Sequence, residues 1–192
     1  NHSIAKLYKK EYGKDLHVMR NIPNPESQKL LKSKAELQIP EDKYLVIAQG
    51  AGINIDRGIE ETVEAMKFLK NVCLMIVGNG DVVILLKKRV QELKLEECVL
   101  FKDRMPYSQM MQYTKHAHLG LTLDKDSNIN YRFSLPNKLF DYIHANTPIL
   151  ASKLPEIEKI ISDYGIGLFI DNHDPRHIAD KIKFALENKS LN

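Results

Sequence analysis

Residues 44–77, YLVIAQGAGINIDRGIEETVEAMKFLKNVCLMIV, decide the fold class. Two apolar, β-branched runs at the ends of this stretch have the composition of strands that are buried on both faces. The apolar residues between the two runs recur at helical spacing, namely Ile59, Val63, Met66 and Leu69. The stretch therefore predicts one strand–helix–strand unit of a parallel sheet.

The same alternation continues to the end of the chain. Predicted strands lie at residues 44–49, 72–77, 98–101, 118–123, 148–151 and 167–170. Predicted helices lie at residues 58–69, 82–93, 108–115, 138–145, 155–162 and 175–188. Regular alternation is typical of α/β proteins, so we predict a Rossmann-like, doubly wound parallel sheet of about six strands. The expected strand order is 3-2-1-4-5-6, with right-handed crossovers.

The first forty residues do not follow this rhythm. They predict a helix over residues 3–12 that ends at Gly13, a short strand over residues 16–20 and a polar helix over residues 26–37. The intervening segment 21–25, NIPNP, is rich in proline and resembles a hinge. We therefore expect residues 1–25 to be the remnant of a preceding domain with its linker, and residues 26–192 to form the sheet domain.

The composition of the 192 residues excludes several classes of protein. With 43% hydrophobic and 28% charged residues, the chain is not mainly disordered, and no apolar run approaches the length of a membrane span. A net charge of +3 gives no argument for a nucleic-acid partner. Cys73 and Cys98 lie in apolar runs and are expected to be buried, reduced thiols, which fits a cytoplasmic protein.

Ligands of open parallel sheets bind beyond the carboxyl ends of the strands. The first predicted strand ends in Gly50-Ala51-Gly52, where glycines allow a ligand to approach the backbone. Arg57 then stands at the start of the first predicted helix, whose N–H groups and dipole favour an anion. The residues leave two interpretations of Arg57 open: a phosphate ligand or a solvated arginine.

A second helix start is predicted at the same edge of the sheet. The long polar loop 124–135 leads into Ser134-Leu135-Pro136-Asn137-Lys138, and proline in the first turn favours helix initiation. Lys138 and Asp141 are three residues apart and share one helix face. Lys138 offers a cation to a phosphate and Asp141 offers two acceptors to a vicinal diol, although the two side chains equally fit a simple surface pair.

The remaining motifs do not indicate a dinucleotide-binding site or a metal site. Gly78-Asn79-Gly80 predicts a turn, because Val83 occupies the position of the third glycine of a dinucleotide fingerprint. His116 and His118 have no further ligand at metal-binding spacing, so we expect neither a metal nor a cofactor. A dinucleotide-dependent oxidoreductase is disfavoured by the missing glycine. A receiver domain is disfavoured because the first strand ends in Ala48-Gln49 without the required acids.

The residues resemble the group 1 (family 4-like) glycosyltransferases of the GT-B fold, in their C-terminal, donor-binding half. The resemblance covers about residues 40 to 190. It is carried by Gln49-Gly50 with 57–60 (RGIE), by 75–80 (MIVGNG), by Phe101 to Met105-Pro106, by 134–142 (SLPNKLFDY) and by 147–152 (TPILAS). The string 134–142 is the most specific of these stretches.

The resemblance implies a domain that binds a nucleotide sugar, usually for retaining, metal-independent transfer to an acceptor hydroxyl. By position, Arg57 and Lys138 match the basic residues that act on the leaving diphosphate, and Asp141 matches the acid that holds the ribose. Arg104-Met105 lie in the loop beside the base. The remaining expected substrate-binding residues are Gly50, Ala51, Gly52, Ser134, Pro136 and Asn137.

Two positions depart from the family pattern. Phe133 stands where the first acid of the motif is usual, and Ala51 stands where a basic residue usually follows the glycine. The resemblance implies a cytoplasmic protein, at most peripheral to the inner membrane, in surface polysaccharide biosynthesis.

A glycan or lipid-linked glycan acceptor is expected to bind through the preceding domain, so we expect the chain to bind a nucleotide but to transfer no sugar unaided. A nucleotide-sugar epimerase of the same fold and a non-catalytic nucleotide-binding or partner module are the alternatives.

Overall fold

The computed structural model describes residues 1–19 and 31–188. The chain begins with helix α1 (His2–Tyr12), whose first turn is capped by the Asn1 side chain accepting a hydrogen bond from the Ile4 N–H at 3.0 Å. Gly13 ends the helix in the left-handed conformation, at φ 66°. The predicted helix and its glycine stop are therefore confirmed.

Strands and helices alternate from residue 44 onward, as predicted. The strands are β1 (Tyr44–Gly50), β2 (Val72–Gly78), β3 (Val99–Lys102), β4 (Leu119–Thr122), β5 (Ile149–Ser152) and β6 (Gly167–Ile170). The helices are α2 (Ile59–Ala65, followed by a 3₁₀ turn at Met66–Phe68), α3 (Val83–Glu92), α4 (Tyr107–Thr114), α5 (Ile129–Arg132), α6 (Asn137–His144), α7 (Pro155–Tyr164) and α8 (Pro175–Glu187).

The six strands form one parallel sheet in the order β3-β2-β1-β4-β5-β6, which confirms the predicted order. β1 and β2 pair over their full length, from Tyr44↔Val72 to Gly50↔Gly78. β1 and β4 pair only at Val46↔Leu119 and Ile47↔Gly120, so these strands diverge toward their carboxyl ends. The strand order also reverses there, so this edge of the sheet carries the crevice.

Alternate residues of the central strands serve two cores. Val46 and Ala48 of β1 point to the layer of α2, α3 and α8, where Ile59, Val63 and Ile178 are buried. Leu45 and Ile47 point to the opposite layer, where Leu139, Tyr142 and Ile157 are buried. Each fully buried aliphatic side chain contributes about 1.5–3 kcal/mol, which explains why strands apolar on both faces select a sheet covered on both sides.

Two predictions before the sheet are wrong within the described residues. Residues 16–19 form no strand: Leu16 is 46% exposed and Met19 is 92% exposed, with no neighbouring strand to pair with. Residues 31–37 are not helical, because a turn at 34–38 reverses the chain through Gln38 at φ 57°. That turn buries Leu37 and Ile39. Residues 20–30, including the predicted linker, lie outside the described residues.

The predicted polar loop 124–135 contains the short helix α5, which the sequence did not indicate. Asn128 caps it by accepting a hydrogen bond from the Tyr131 N–H at 2.9 Å. Helix α1 lies against this region: Asn1 Nδ2 donates to the Phe133 carbonyl at 2.7 Å, and Ser3 N–H donates to Glu156 Oε1 at 3.0 Å. The first helix therefore packs on the sheet domain.

Candidate functional site

A cleft of about 370 Å³ opens at the carboxyl ends of β1 and β2, opposite the start of α6. Its lining residues are Gln49, Gly50, Ala51, Val77, Gly78, Arg104, Met105, Tyr107, Met110, Asn137, Lys138 and Asp141. The structure thus brings seven of the predicted site residues into one cavity, from three separate segments of the chain. These seven are Gly50, Ala51, Arg104, Met105, Asn137, Lys138 and Asp141.

Backbone forms one wall of the cleft. Gly50 and Gly78 are partners in the β1–β2 register, and a Cβ at Gly78 would overlap the carbonyl oxygen of Gly50. Gly78 also has φ 134°, which side-chain-bearing residues rarely adopt. The following Asn79 carbonyl accepts a hydrogen bond from the Ile53 N–H at 2.9 Å. Gly78 is the last residue of β2 and the turn itself lies at residues 81–82, so the turn predicted at 78–80 is displaced toward α3. Residues 79 and 80 pack against the loop after β1.

Asp141 is held by a chain of buried hydrogen bonds. Gln49 Nε2 donates to Asp141 Oδ2 at 3.1 Å, and the Thr114 hydroxyl donates to Gln49 Oε1 at 2.7 Å. Burial raises the pKa of Asp141, and hydrogen bonds from Gln49 and Tyr107 oppose that rise. Its second oxygen, Oδ1, is buried and has no hydrogen-bond partner among the residues described. The carboxylate is therefore fixed in orientation, with one oxygen left for a ligand.

Lys138 is the second residue of α6, which begins at Asn137 directly after the N-cap residue Pro136. Its side chain is only 11% exposed, and its Nζ lies 3.8 Å from Asp124 Oδ1. Burial lowers the pKa of Lys138, Asp124 opposes this effect, and nearby Arg57 adds to it. The ammonium group is thus a poorly solvated cation beside a helix N-terminus, an arrangement suited to an anionic ligand.

Arg57 is not among the residues that line the cleft. Its Nη1 lies 3.2 Å from Asp124 Oδ1, and its guanidinium carbon lies 4.6 Å from the centre of the Tyr131 ring. Arg57 and Lys138 therefore share one carboxylate oxygen, which makes the two cations neighbours at the rim of the site. Gly52, Ser134 and Pro136 are also outside the set of lining residues.

Buried side-chain atoms without a hydrogen-bond partner in the described part of the chain gather on this edge of the sheet. They are Arg57 Nε, Glu60 Oε2, Glu61 Oε2, Thr122 Oγ1, Asp124 Oδ2, Ser134 Oγ and Asp141 Oδ1. All belong to β4, to the loops and helices that follow the carboxyl ends of β1 and β4, or to α6. Of these seven residues, only Asp141 lines the cleft, and because buried polar groups are nearly always paired in native proteins, its unpaired oxygen suits a polar ligand there.

Sequence reasoning did not assign Gln49, Tyr107 or Asp124 to the site. Gln49 is a polar residue within an otherwise apolar strand, and this interruption is the sequence signal that could have identified it. In the structure Gln49 is only 1% exposed. Asp124 is fully buried two residues after the end of β4, at the edge where ligands are expected. Tyr107 begins α4 and carries no such signal in the sequence.

Both histidines of the pair considered for a metal make hydrogen bonds to the backbone. His118 Nδ1 accepts a hydrogen bond from the Leu45 N–H at 2.9 Å, and His116 Nε2 lies 2.7 Å from the Lys32 carbonyl. Within residues 1–19 and 31–188, no group of three His, Cys, Asp or Glu side chains is arranged to hold a metal ion. Over the same residues, no helix is long and apolar enough to cross a bilayer.

A doubly wound sheet with a ligand-sized cleft at its switch point is typical of the nucleotide-binding α/β class. Residues 31–192 match the family described as Glycosyl transferases group 1, and the chain belongs to that family. A relative, alpha-monoglucosyldiacylglycerol synthase of Streptococcus pneumoniae, is 26% identical over 156 residues. That match covers 78% of this chain and 33% of the relative, so the chain spans about a third of its length.

Solved structures share the fold. Sucrose-phosphate synthase from Thermosynechococcus elongatus superposes with a TM-score of 0.75 at 19% identity, covering 97% of this chain and 48% of that one. Anabaena HepE in complex with UDP superposes with a TM-score of 0.69 at 14% identity, covering 82% and 43%. At these identities the likeness establishes the GT-B domain architecture and no more.

Proposed function

We propose that the chain is the donor-binding domain of a glycosyltransferase and binds a nucleoside diphosphate sugar in the cleft. The observation that carries the proposal is the convergence of the α6 N-terminus, Lys138 and the hydrogen-bonded Asp141 carboxylate on one cavity. A diphosphate fits the helix N-terminus and the ammonium group, while a ribose diol fits a carboxylate with an unpartnered oxygen. The UDP-bound HepE structure supports the same ligand class for this fold.

The residues also supply a mechanism for the departure of the nucleotide. Transfer breaks the bond between the anomeric carbon and the diphosphate oxygen, and negative charge develops on the departing diphosphate. Lys138, Arg57 and the N–H groups of the first turn of α6 stabilise that charge in a poorly solvated site. Each charge-assisted hydrogen bond contributes about 1.5–3 kcal/mol.

The finer parts of the proposal rest on the family resemblance. We propose that the transfer retains the anomeric configuration, needs no metal, and serves surface polysaccharide biosynthesis in the cytoplasm or at the inner membrane surface. The acceptor is a glycan or a lipid-linked glycan bound through a preceding domain. The name of the pneumococcal relative, whose product is a glucosylated diacylglycerol, supports an acceptor of amphipathic character.

A calorimetric titration of the chain with UDP, GDP and ADP tests the proposal. At least one nucleoside diphosphate is expected to bind, and Lys138→Ala is expected to weaken that binding about tenfold or more, because a charge-assisted contact is lost. Lys183→Ala is the matched control, since Lys183 lies on α8, is 47% exposed and contacts Asp180 rather than the cleft. The Lys183→Ala variant should bind the nucleoside diphosphate with the same affinity as the unmodified chain.

Two outcomes would contradict the proposal. Absence of binding by every nucleoside diphosphate would remove the donor-site assignment. Equal affinities of the Lys138 and Lys183 variants would place the ligand elsewhere. With the full-length protein, conversion of a nucleotide sugar without an acceptor would favour the epimerase, and binding without any transfer would favour a non-catalytic module.

A further inference from the structure

Asp124 is an ionisable residue that no motif of the chain assigns to a role. It lies two residues after the end of β4 and has 0% exposure, which is rare for an aspartate. Its Oδ1 lies 3.2 Å from Arg57 Nη1 and 3.8 Å from Lys138 Nζ. Its Oδ2 is buried without a hydrogen-bond partner in the part of the chain that the structure describes.

The three charged groups come from three different segments. Arg57 lies in the loop before α2, Asp124 follows β4, and Lys138 stands in the first turn of α6. The segments meet only at the carboxyl edge of the sheet, between the diverging strands β1 and β4. A shared carboxylate is therefore the one direct polar link observed between the two cationic side chains among the described residues.

We propose that Asp124 is a positioning residue for the diphosphate site, where it holds Arg57 and Lys138 side by side and keeps Lys138 charged. This inference rests on the proposed nucleotide site. A buried ammonium group without a counter-ion tends to lose its proton, and a second cation beside it strengthens that tendency. Asp124 opposes both effects, so the site keeps two cations before the donor arrives.

The charged groups around Lys138 have opposite effects on its pKa. Burial and Arg57 lower the pKa of Lys138, and Asp124 is the group that raises it. Tyr142 of α6, whose pKa is raised by burial, also interacts with Asp124, and His173 Nε2 lies 2.9 Å from the Leu123 carbonyl. Lys125, the residue next to Asp124, pairs with Asp56 and Glu61, and Asp141 lines the cleft beside Lys138. Removal of the Asp124 charge should therefore lower the pH at which Lys138 titrates, whereas removal of Arg57 should raise it.

NMR titration of lysine side chains labelled with ¹³C at Cε measures this directly in the ligand-free chain, with Lys138→Gln identifying the signal. In Asp124→Asn, which keeps the size of the side chain, the Lys138 midpoint should fall by about one pH unit or more. In Asp124→Glu, which keeps the charge, the midpoint should fall less. In Arg57→Gln it should move upward. Asp126→Asn is the control, because Asp126 is 47% exposed and pairs with Arg132.

UDP affinity at pH 6.5 and 8.5 gives the second measurement. The ratio of the affinity at pH 6.5 to that at pH 8.5 should be larger for Asp124→Asn than for the unmodified chain, because Lys138 loses its proton at a lower pH. An unchanged Lys138 midpoint in Asp124→Asn would overturn the inference even if UDP binds. Absence of UDP binding by the unmodified chain would overturn the proposed function, while the Lys138 midpoint would still decide whether Asp124 holds its charge.

Discussion

Gln49 Nε2 donates a hydrogen bond to Asp141 Oδ2 at 3.1 Å, and both side chains are buried. The bond links the carboxyl end of the central strand β1 to the second turn of α6, across 92 residues of sequence. Thr114 of α4 fixes the other end of the Gln49 amide. The carboxylate that we assign to the donor is therefore oriented by the sheet itself.

Replacement of the Asp141 carboxylate should raise the stability of the chain and weaken its binding of the nucleotide. Because burial raises the pKa of Asp141, its ionisation costs more free energy in the folded chain than in the unfolded chain. That cost is present above the folded pKa and absent below the unfolded value of about 3.9. Asp141→Asn should therefore raise Tm at pH 7.5, with a gain that shrinks toward pH 4.5, and should weaken nucleotide binding about tenfold.

Thermal denaturation at several pH values, together with calorimetry, checks this expectation. Asp163→Asn is a suitable control, since Asp163 lies exposed on α7 and remote from the cleft. A Tm gain that is the same at pH 4.5 and 7.5 would mean that the raised pKa is not the cause. Unchanged nucleotide affinity in Asp141→Asn would remove this residue from the donor site.

Gly120 of β4 is in close contact with Tyr142. A Cβ on Gly120 would lie 2.6 Å from the Tyr142 ring, whose hydroxyl contacts the Leu121 carbonyl at 3.1 Å. Gly120→Ala should therefore lower the free energy of unfolding by about 1–3 kcal/mol through overpacking. Denaturant titration measures the loss.

Gly50→Ala is the control for this stability measurement, because a Cβ there meets only the Gly52 nitrogen, at 3.9 Å. Equal stability of the two alanine variants would show that the Tyr142 ring moves without cost and that the packing of α6 on β4 is loose.

The two cysteines should react slowly in the native chain. Burial raises the pKa of the Cys73 thiol to about 11 and also raises the pKa of Cys98. At pH 8 both are therefore protonated, and thiolate-dependent reagents should label neither thiol quickly. A colorimetric thiol assay with and without guanidinium checks this. Rapid labelling of two thiols in the native chain would contradict the packing of β2, where Cys73 is fully buried.

Much of the fold could be predicted because its signal is local. Val46 and Leu45 are both apolar and both buried, on opposite faces of β1, so an unbroken apolar run revealed a strand covered on both sides. The strand order followed from the alternation of strands and helices. Leu16 and Met19 misled the same reasoning, because a β-like run forms a strand only where a neighbour can pair with it.

The location of the site could be predicted, because ligands bind beyond the carboxyl ends of parallel strands and at helix N-termini. Contacts between residues far apart in the sequence could not. Lys138 and Asp141 lie on one helix and their proximity can be predicted from spacing. Arg57 and Asp124 are 67 residues apart, and no pattern in the sequence predicts that their side chains form an ion pair. The hydrogen bond between Gln49 and Asp141 could not be predicted for the same reason, because it forms only when β1 packs against α6.

The diphosphate is expected to bind where β1 and β2 end, opposite the start of α6. Amide chemical-shift mapping of the ¹⁵N-labelled chain during titration with a nucleoside diphosphate measures this position. The largest shifts should fall on Gly50, Gly78, Asn137 and Lys138, the backbone that lines the cleft. Shifts confined to other surfaces, such as α1 or the outer face of α8, would contradict it.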